Sequence, residues 1–380
     1  MKFEALPFIY ELHNQPKNHE GIPNALPFGL KLDDRYDLVK QEYNKVTDEY
    51  LTKAYKISSI LAGNTTEDDS GDAYADSILH FVNQNFDKNL TGINVLDIGC
   101  GTGYLLHKLR ELGCNVYGIE PGQQANIGIE KYNIPIEIDF FPSKKLDLKF
   151  DLIISILVLE HISEPESFIS DIKKYLNKDG TVIIGVPDEE PYLLSGDIST
   201  LFHEHWNYFT KNSFKSFLIN NGASNIVIQN SNYGGILYSK FNFHEQSKFE
   251  LNKNNKTVGV NYLKKIEHSH FLLRVFFEKH AHSSIGIYVP GRIINFLLNE
   301  NINCKNLRFF DDDKNSYGRF YPGFDNKIEN FEDFKTNLPD VVLIMSSFFG
   351  HKIEAKILNT STMNKDKIYL WKDFFNINVI

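Results

Sequence analysis

The sequence predicts an α/β protein, with a doubly wound parallel sheet at its centre, a small module before it and a second, Rossmann-like α/β unit after it. Three observations carry that expectation. In the first, Val95-Leu96-Asp97-Ile98 runs as an apolar strand into Gly99-Cys100-Gly101-Thr102-Gly103, and helical text follows over 104–112. Glycines in such a turn let a ligand approach the backbone, and the helix start behind it offers unpaired N–H groups. The next strand, 116–119, delivers Glu120 about twenty residues beyond the turn, where doubly wound folds place the acid that binds ribose hydroxyls. In the second, strand and helix text alternate as far as residue 186, which implies parallel strands with helices on both faces. The third is a repeated strand and glycine turn, Ile285-Gly286-Ile287-Tyr288-Val289-Pro290-Gly291-Arg292.

Length and charge narrow the classes of function. The 380 residues suit two or three domains. A net charge of −9 leaves no basic stripe to neutralise phosphates, so no nucleic-acid partner is expected. Cys100, Cys114 and Cys304 form neither a disulfide framework nor a zinc quartet, which fits a reducing compartment. No apolar run approaches the roughly eighteen residues of a membrane span, and Met1-Lys2-Phe3-Glu4 lacks the shape of a signal peptide. The expectation is a cytoplasmic protein with a small-molecule substrate and no membrane partner.

Residues 1–70 form the first module: Pro- and Asn-rich strands and turns, then helical text from 37 to 61, then a polar connector at 65–72. Residues 71–245 form the central domain, entered by a helix over 74–81. Its later elements are strands at 134–138, 151–156 and 181–186, a helix at 165–176 and another at 213–221, and strands at 225–229 and 234–239. The Lys/Asn-rich stretch 247–256 reads as a solvated linker. Residues 260–380 form the last unit: a helix at 262–280, the glycine turn and a helix at 293–299, and strands at 307–310 and 340–346. That turn offers a seat for a substrate's phosphates. Asp311-Asp312-Asp313 reads as a strand-end turn, and His268, His270, His280 and His282 as helix-surface residues.

The spacing of the glycines selects among nucleosides. A dinucleotide fingerprint places its last glycine inside the helix, whereas here Gly99, Gly101 and Gly103 alternate and an acid, Asp97, ends the strand. A carboxylate there repels a pyrophosphate and suits a ligand carrying ammonium and sulfonium groups. The wording resembles motif I of the class I S-adenosylmethionine-dependent methyltransferases. That resemblance implies S-adenosyl-L-methionine as cofactor, held by Asp97, Gly99, Gly101 and Glu120, with Asp139 and Phe140 at the adenine.

The second informative stretch is Leu201-Phe202-His203-Glu204-His205-Trp206-Asn207-Tyr208-Phe209. Three ionisable groups among aromatics suggest a partly desolvated site in which a histidine can be tuned. His203-x-His205 is compatible with a metal, but no third ligand is evident and the helical H-E-x-x-H pattern fails at Asn207. A core role for the histidines is the other alternative, and His161, after the strand 151–156, reads as a wall of the cofactor pocket. Together with Glu120-Pro121-Gly122, this stretch resembles the C-methyltransferases that act on nucleotide-linked keto-deoxyhexoses. The resemblance implies His205 as the general base that removes the proton beside the ketone, with Glu204 assisting; should His205 not be the base, His203 is the first candidate in its place. It departs from that family at Phe202, where a tyrosine is expected, and in the first module, whose four zinc-binding cysteines are absent, so the module is expected to fold without metal. An O-methyltransferase for a sugar or small-molecule hydroxyl, or a non-catalytic binding protein on the same scaffold, are the alternatives.

Overall fold

The computed structural model describes residues 2–55, 69–244, 258–347 and 349–375. The connector at 65–68 and the linker at 247–256 lie outside them. The chain divides into two compact units, each discontinuous: one comprises 1–30, 190–203 and 257–380, the other 31–189 and 204–256. This replaces the division by chain order into 1–70, 71–245 and 260–380. The reason is backbone pairing that composition does not announce. His13 N–H donates to the Phe320 carbonyl (3.1 Å) and Phe320 N–H returns a bond to His13 (2.8 Å), which ties the first residues to the last third of the chain.

The second unit is built on a seven-stranded sheet. Its spatial order is Ser224–Asn230, Ile236–Asn242, Leu176–Pro187, Phe150–Ile156, Asn94–Ile98, Asn115–Ile119 and Ile136–Glu137. Ile236–Asn242 runs antiparallel to both neighbours; the remaining pairs are parallel. Successive residues of a strand face opposite sides. Leu96, Ile98 and Ile153 accordingly join one apolar cluster with Phe168, Ile172 and Phe217, while Val95, Leu152 and Ile154 join another with Ile78, Leu106 and Leu109. Burial on both faces is why these strands read as unbroken apolar runs. Chain order reverses between Asn94–Ile98 and Phe150–Ile156, and in open α/β sheets ligands bind at that crevice.

Three local expectations shift. Residues 38–41, expected to begin a helix, form the strand Leu38–Gln41, paired antiparallel with Asn207–Tyr208; all four of its side chains are buried, which an amphipathic helix does not permit. The helix follows at Lys45–Tyr55. The strand at 134–138 is reduced to Ile136–Glu137, and the loop after 187 contains a helix, Glu190–Ser195.

The first unit contains a five-stranded parallel sheet, ordered Ile328–Glu329, Leu307–Phe310, Ile285–Tyr288, Val341–Ile344, Ile368–Leu370. Its glycine turn does not present the phosphate seat expected of it. The helix behind it, Ile294–Asn299, is only 6 residues long, and a Cβ on Gly291 falls 2.9 Å from the Tyr321 hydroxyl, so the approach is filled. His270, expected on a surface, is buried with Nδ1 3.1 Å from Glu300. The aspartate run does build a turn, in which Asp313 N–H donates to Asp311.

Candidate active site

Asp97, Glu120, His161 and Glu189 all stand at or just beyond the carboxyl ends of neighbouring parallel strands of the second unit. The turn between Asp97 and the helix Tyr104–Glu111 needs its glycines: Gly99, Gly101 and Gly103 have φ of 75°, 56° and 73°. At Gly99 a Cβ falls 2.4 Å from Val158 Cγ2, so only glycine lets the two strand ends approach.

Glu120 is pinned by the turn it serves. Its Oε2 accepts from Gly101 N–H (3.0 Å) and its Oε1 from Gly122 N–H (2.7 Å) and Gln124 Nε2 (3.0 Å). Asp97 is buried beside it; burial and the Glu120 charge push its carboxyl well above the usual range. Burial likewise raises Glu120, with the Gly122 and Gly101 bonds opposing. Two desolvated acids destabilise each other's charge until a cation joins them. A ligand with an ammonium or sulfonium group would supply one, and the Glu120 carboxylate would accept from a ribose hydroxyl. A cavity on the Asp97 side of the turn is lined by Tyr74, Asp97, Gly99, Cys100, Tyr104 and Ile156. Asp139 and Phe140 are exposed, and the ring, 48% accessible, has an open face for a base. The donor set thus fits S-adenosylmethionine, whose amino-acid end Asp97 would hold and whose ribose Glu120 would hold.

The imidazole group follows from a turn. Leu157, a non-glycine residue at φ 57°, ends the strand Phe150–Ile156 and throws the chain into the short helix Leu159–His161. Such a conformation costs on the order of 1 kcal/mol or more and persists where the surroundings enforce it. Here three bonds do so: Trp206 N–H donates to Glu160 O (2.7 Å), and Asn207 Nδ2 to Leu159 O (3.1 Å) and Ile162 O (2.7 Å). They lock the segment 205–208 onto that turn.

His161 lies 2.9 Å from the Glu204 carbonyl through Nδ1, so Nδ1 carries the proton and Nε2 holds the lone pair. Burial lowers its pKa to about 4. Its ring stands edge-on to His205 at 5.0 Å, and Glu189 Oε1 lies 3.8 Å from His205 Nδ1. Burial, and secondarily His161, hold His205 well below the ordinary histidine range, so its imidazole is neutral. Glu160 is fully buried, with neither carboxyl oxygen hydrogen-bonded; burial keeps it protonated, 3.6 Å from His161 Nε2.

The sequence-predicted trio does not act as one cluster. His203 falls in the first unit, where Nε2–H donates to the Leu26 carbonyl (3.1 Å) and the ring packs between Phe8 (5.5 Å) and Phe28 (5.3 Å). Glu204 contributes its carbonyl to His161, while the carboxylate facing His205 is Glu189. Neither Glu189 nor Glu160 was singled out by the sequence; the signal available was that each follows the end of a buried strand, in Asp188-Glu189-Glu190 and Leu159-Glu160-His161.

Burial raises the Glu204 pKa from 4.5 to about 8. The unfolded chain therefore ionises this group while the folded one keeps the proton, so its contribution to stability is complete below about pH 4.5 and is lost as pH rises through about 8. Glu204→Gln, which has no proton to lose, is expected to gain thermal midpoint on the wild type from pH 5 to pH 8 and to hold a constant difference above. A difference independent of pH refutes the burial of a neutral Glu204.

Comparison with known proteins bears on the same unit. Residues 72–227 match the family model described as a methyltransferase domain. A ubiquinone biosynthesis O-methyltransferase of Pelagibacter ubique is 33% identical over 114 residues, 28% of this chain and 47% of that protein. A tRNA U34 carboxymethyltransferase of Alteromonas mediterranea is 29% identical over 161 residues, 38% of this chain and 48% of that one. An uncharacterized methyltransferase of Bacillus cereus is 28% identical over 210 residues, covering 50% of this chain and 94% of the relative. The chain spans less than half the length of the first two. Among solved structures, an S-adenosylmethionine-dependent methyltransferase from Clostridium acetobutylicum is 14% identical, covering 53% of this chain and 100% of that chain with a TM-score of 0.37. No helix among the described residues is long and apolar enough to cross a membrane.

Proposed function

We propose, from the S-adenosylmethionine-dependent methyltransferase domain that residues 72–227 carry, that the chain methylates a nucleotide-linked keto sugar with His205 as general base. The observation that carries the reading is the neutral His205 imidazole beside the Glu189 carboxylate, on the sheet that presents Asp97 and Glu120. With Nδ1–H toward Glu189, Nε2 of His205 takes the proton α to the substrate ketone, and Glu189 stabilises the imidazolium that forms. S-adenosylmethionine, bound by Asp97 and Glu120, supplies the methyl group that the resulting carbon nucleophile accepts. His161 holds its protonated Nδ1 on the Glu204 carbonyl and walls the site, and His203 packs the first unit.

The net charge of −9 favours such a small acceptor over RNA. A second reading has support of its own, since a ubiquinone biosynthesis enzyme among the relatives is named as an O-methyltransferase. In that case the same imidazole deprotonates a hydroxyl.

The test uses the full chain with S-adenosylmethionine and a panel of nucleotide-linked keto-deoxyhexoses. Adenosylhomocysteine should accumulate, and mass spectrometry should find the added methyl on carbon. In deuterated buffer without methyl donor the substrate's α-hydrogen should exchange. An O-methylated product without exchange installs the second reading, and absence of turnover with every acceptor leaves a binding protein.

A further inference from the structure

Between the strands Lys2–Pro7 and Ala25–Asp33 the chain makes a loop carrying three metal-ligating side chains that the methyl-transfer chemistry does not use. Glu11, His13 and His19 each bring a ligand atom within 4.8 Å of the others. Glu11 Oε1 lies 3.7 Å from His13 Nδ1 and 3.3 Å from His19 Nδ1, and the two imidazole rings are 5.1 Å apart.

The surroundings determine which atoms are offered. Asn18 is buried, and its Nδ2 donates to the Phe8 (2.8 Å) and Pro23 (2.7 Å) carbonyls, so its Oδ1 is the acceptor that faces His13 Nε2 at 2.9 Å. His13 Nε2 therefore holds the proton, and Nδ1, on the Glu11 side, keeps its lone pair. A histidine whose far nitrogen donates to a fixed acceptor is how proteins orient a metal ligand. His19 Nδ1 lies 2.6 Å from the Tyr10 hydroxyl, and with that hydroxyl donating it offers a lone pair as well; its side chain is 51% exposed and open to an incoming ion. Two neutral imidazoles and one carboxylate suit zinc and its transition-metal neighbours, not calcium or magnesium, which take oxygen ligands.

We propose that Glu11, His13 and His19 bind one divalent transition-metal ion, zinc by preference, with water completing the coordination. The Tyr10 hydroxyl competes with the ion for His19 Nδ1 and lets go when it binds.

The full chain, stripped with a chelator, is titrated with Zn²⁺ by calorimetry and with Co²⁺ by visible absorption. One ion per chain is expected, with the intense absorption of a four-coordinate cobalt site and a zinc-dependent rise in thermal midpoint. Glu11→Gln, His13→Ala and His19→Ala should each weaken binding at least about tenfold. His19 is half-exposed, so its variant should fold even if the His13 variant does not. Tyr10→Phe, which removes the competing hydroxyl, should bind as tightly as the wild type or more so. Unchanged affinity in His19→Ala and Glu11→Gln overturns the proposal, as does absence of binding at millimolar zinc. Loss in His161→Ala with retention in His19→Ala also overturns it, because the ion then belongs to Glu160, His161 and His205, whose ligand atoms also lie within 4.8 Å of one another.

Discussion

Replacing His205 by Ala or Asn is expected to lower turnover by about 10²–10⁴-fold, the contribution of a positioned general base, while the affinity for S-adenosylmethionine stays within twofold or so. The separation follows from architecture: the proposed cofactor anchors, Asp97 and Glu120, lie in the strand Asn94–Ile98 and just after the strand Asn115–Ile119, whereas the imidazole is held by the turn at 159–162. Glu189→Gln replaces the carboxyl group 3.8 Å from Nδ1 with an amide and should show a smaller fall. Glu204→Gln should change turnover least near pH 7, because burial already keeps that carboxyl neutral up to about pH 8. Rate measurements at saturating cofactor, paired with calorimetry, check all three. Solvent exchange persisting in the His205 variant would move the base role to His161, whose ring is 5.0 Å away.

Glu120→Ala should weaken S-adenosylmethionine binding by at least about tenfold. Charge-assisted bonds are worth about 1.5–3 kcal/mol, and about 1.4 kcal/mol is tenfold in affinity. The substitution also strips the Gly101 and Gly122 N–H groups of their acceptor, so the turn loses the carboxylate that shapes it. Asp97→Asn should separate the two effects: it keeps the turn's bonds to Glu120 and removes only the carboxylate at the ammonium end, so affinity for S-adenosylmethionine and for adenosylhomocysteine, which share that ammonium, should fall together. Calorimetry of the two ligands against both variants measures this. Unchanged affinity in Glu120→Ala, or preferential binding of NAD, contradicts the cofactor site.

The cofactor half of the site was legible because its determinants are contiguous. Asp97, the alternating glycines and Glu120 sit within one strand, turn, helix and strand, and local sequence dictates each of those. The base half was legible only as a word. His203-Glu204-His205 names three adjacent residues, yet the boundary between the two units falls between His203 and Glu204, and adjacency along the chain says nothing of which core each side chain enters. Glu189 went unseen for the converse reason: it meets the His205 imidazole only after segments distant in the chain align, which is a long-range property. The strand Leu38–Gln41 was missed because its partner, Asn207–Tyr208, lies far along the chain.

The two units are interleaved along the chain, with passages between them after residues 30, 189, 203 and 256. A fragment cut to the matched span 72–227 therefore contains a passenger, 190–203, that belongs elsewhere. Leu193, Ile198 and Leu201 in it are buried, and the Ile198 and Leu201 carbonyls are bonded by Asn295, beyond the cut. Excised in this way, the domain carries an uncovered greasy strip immediately before its base, and it will tend to precipitate unless those fourteen or so residues are replaced by a short polar bridge.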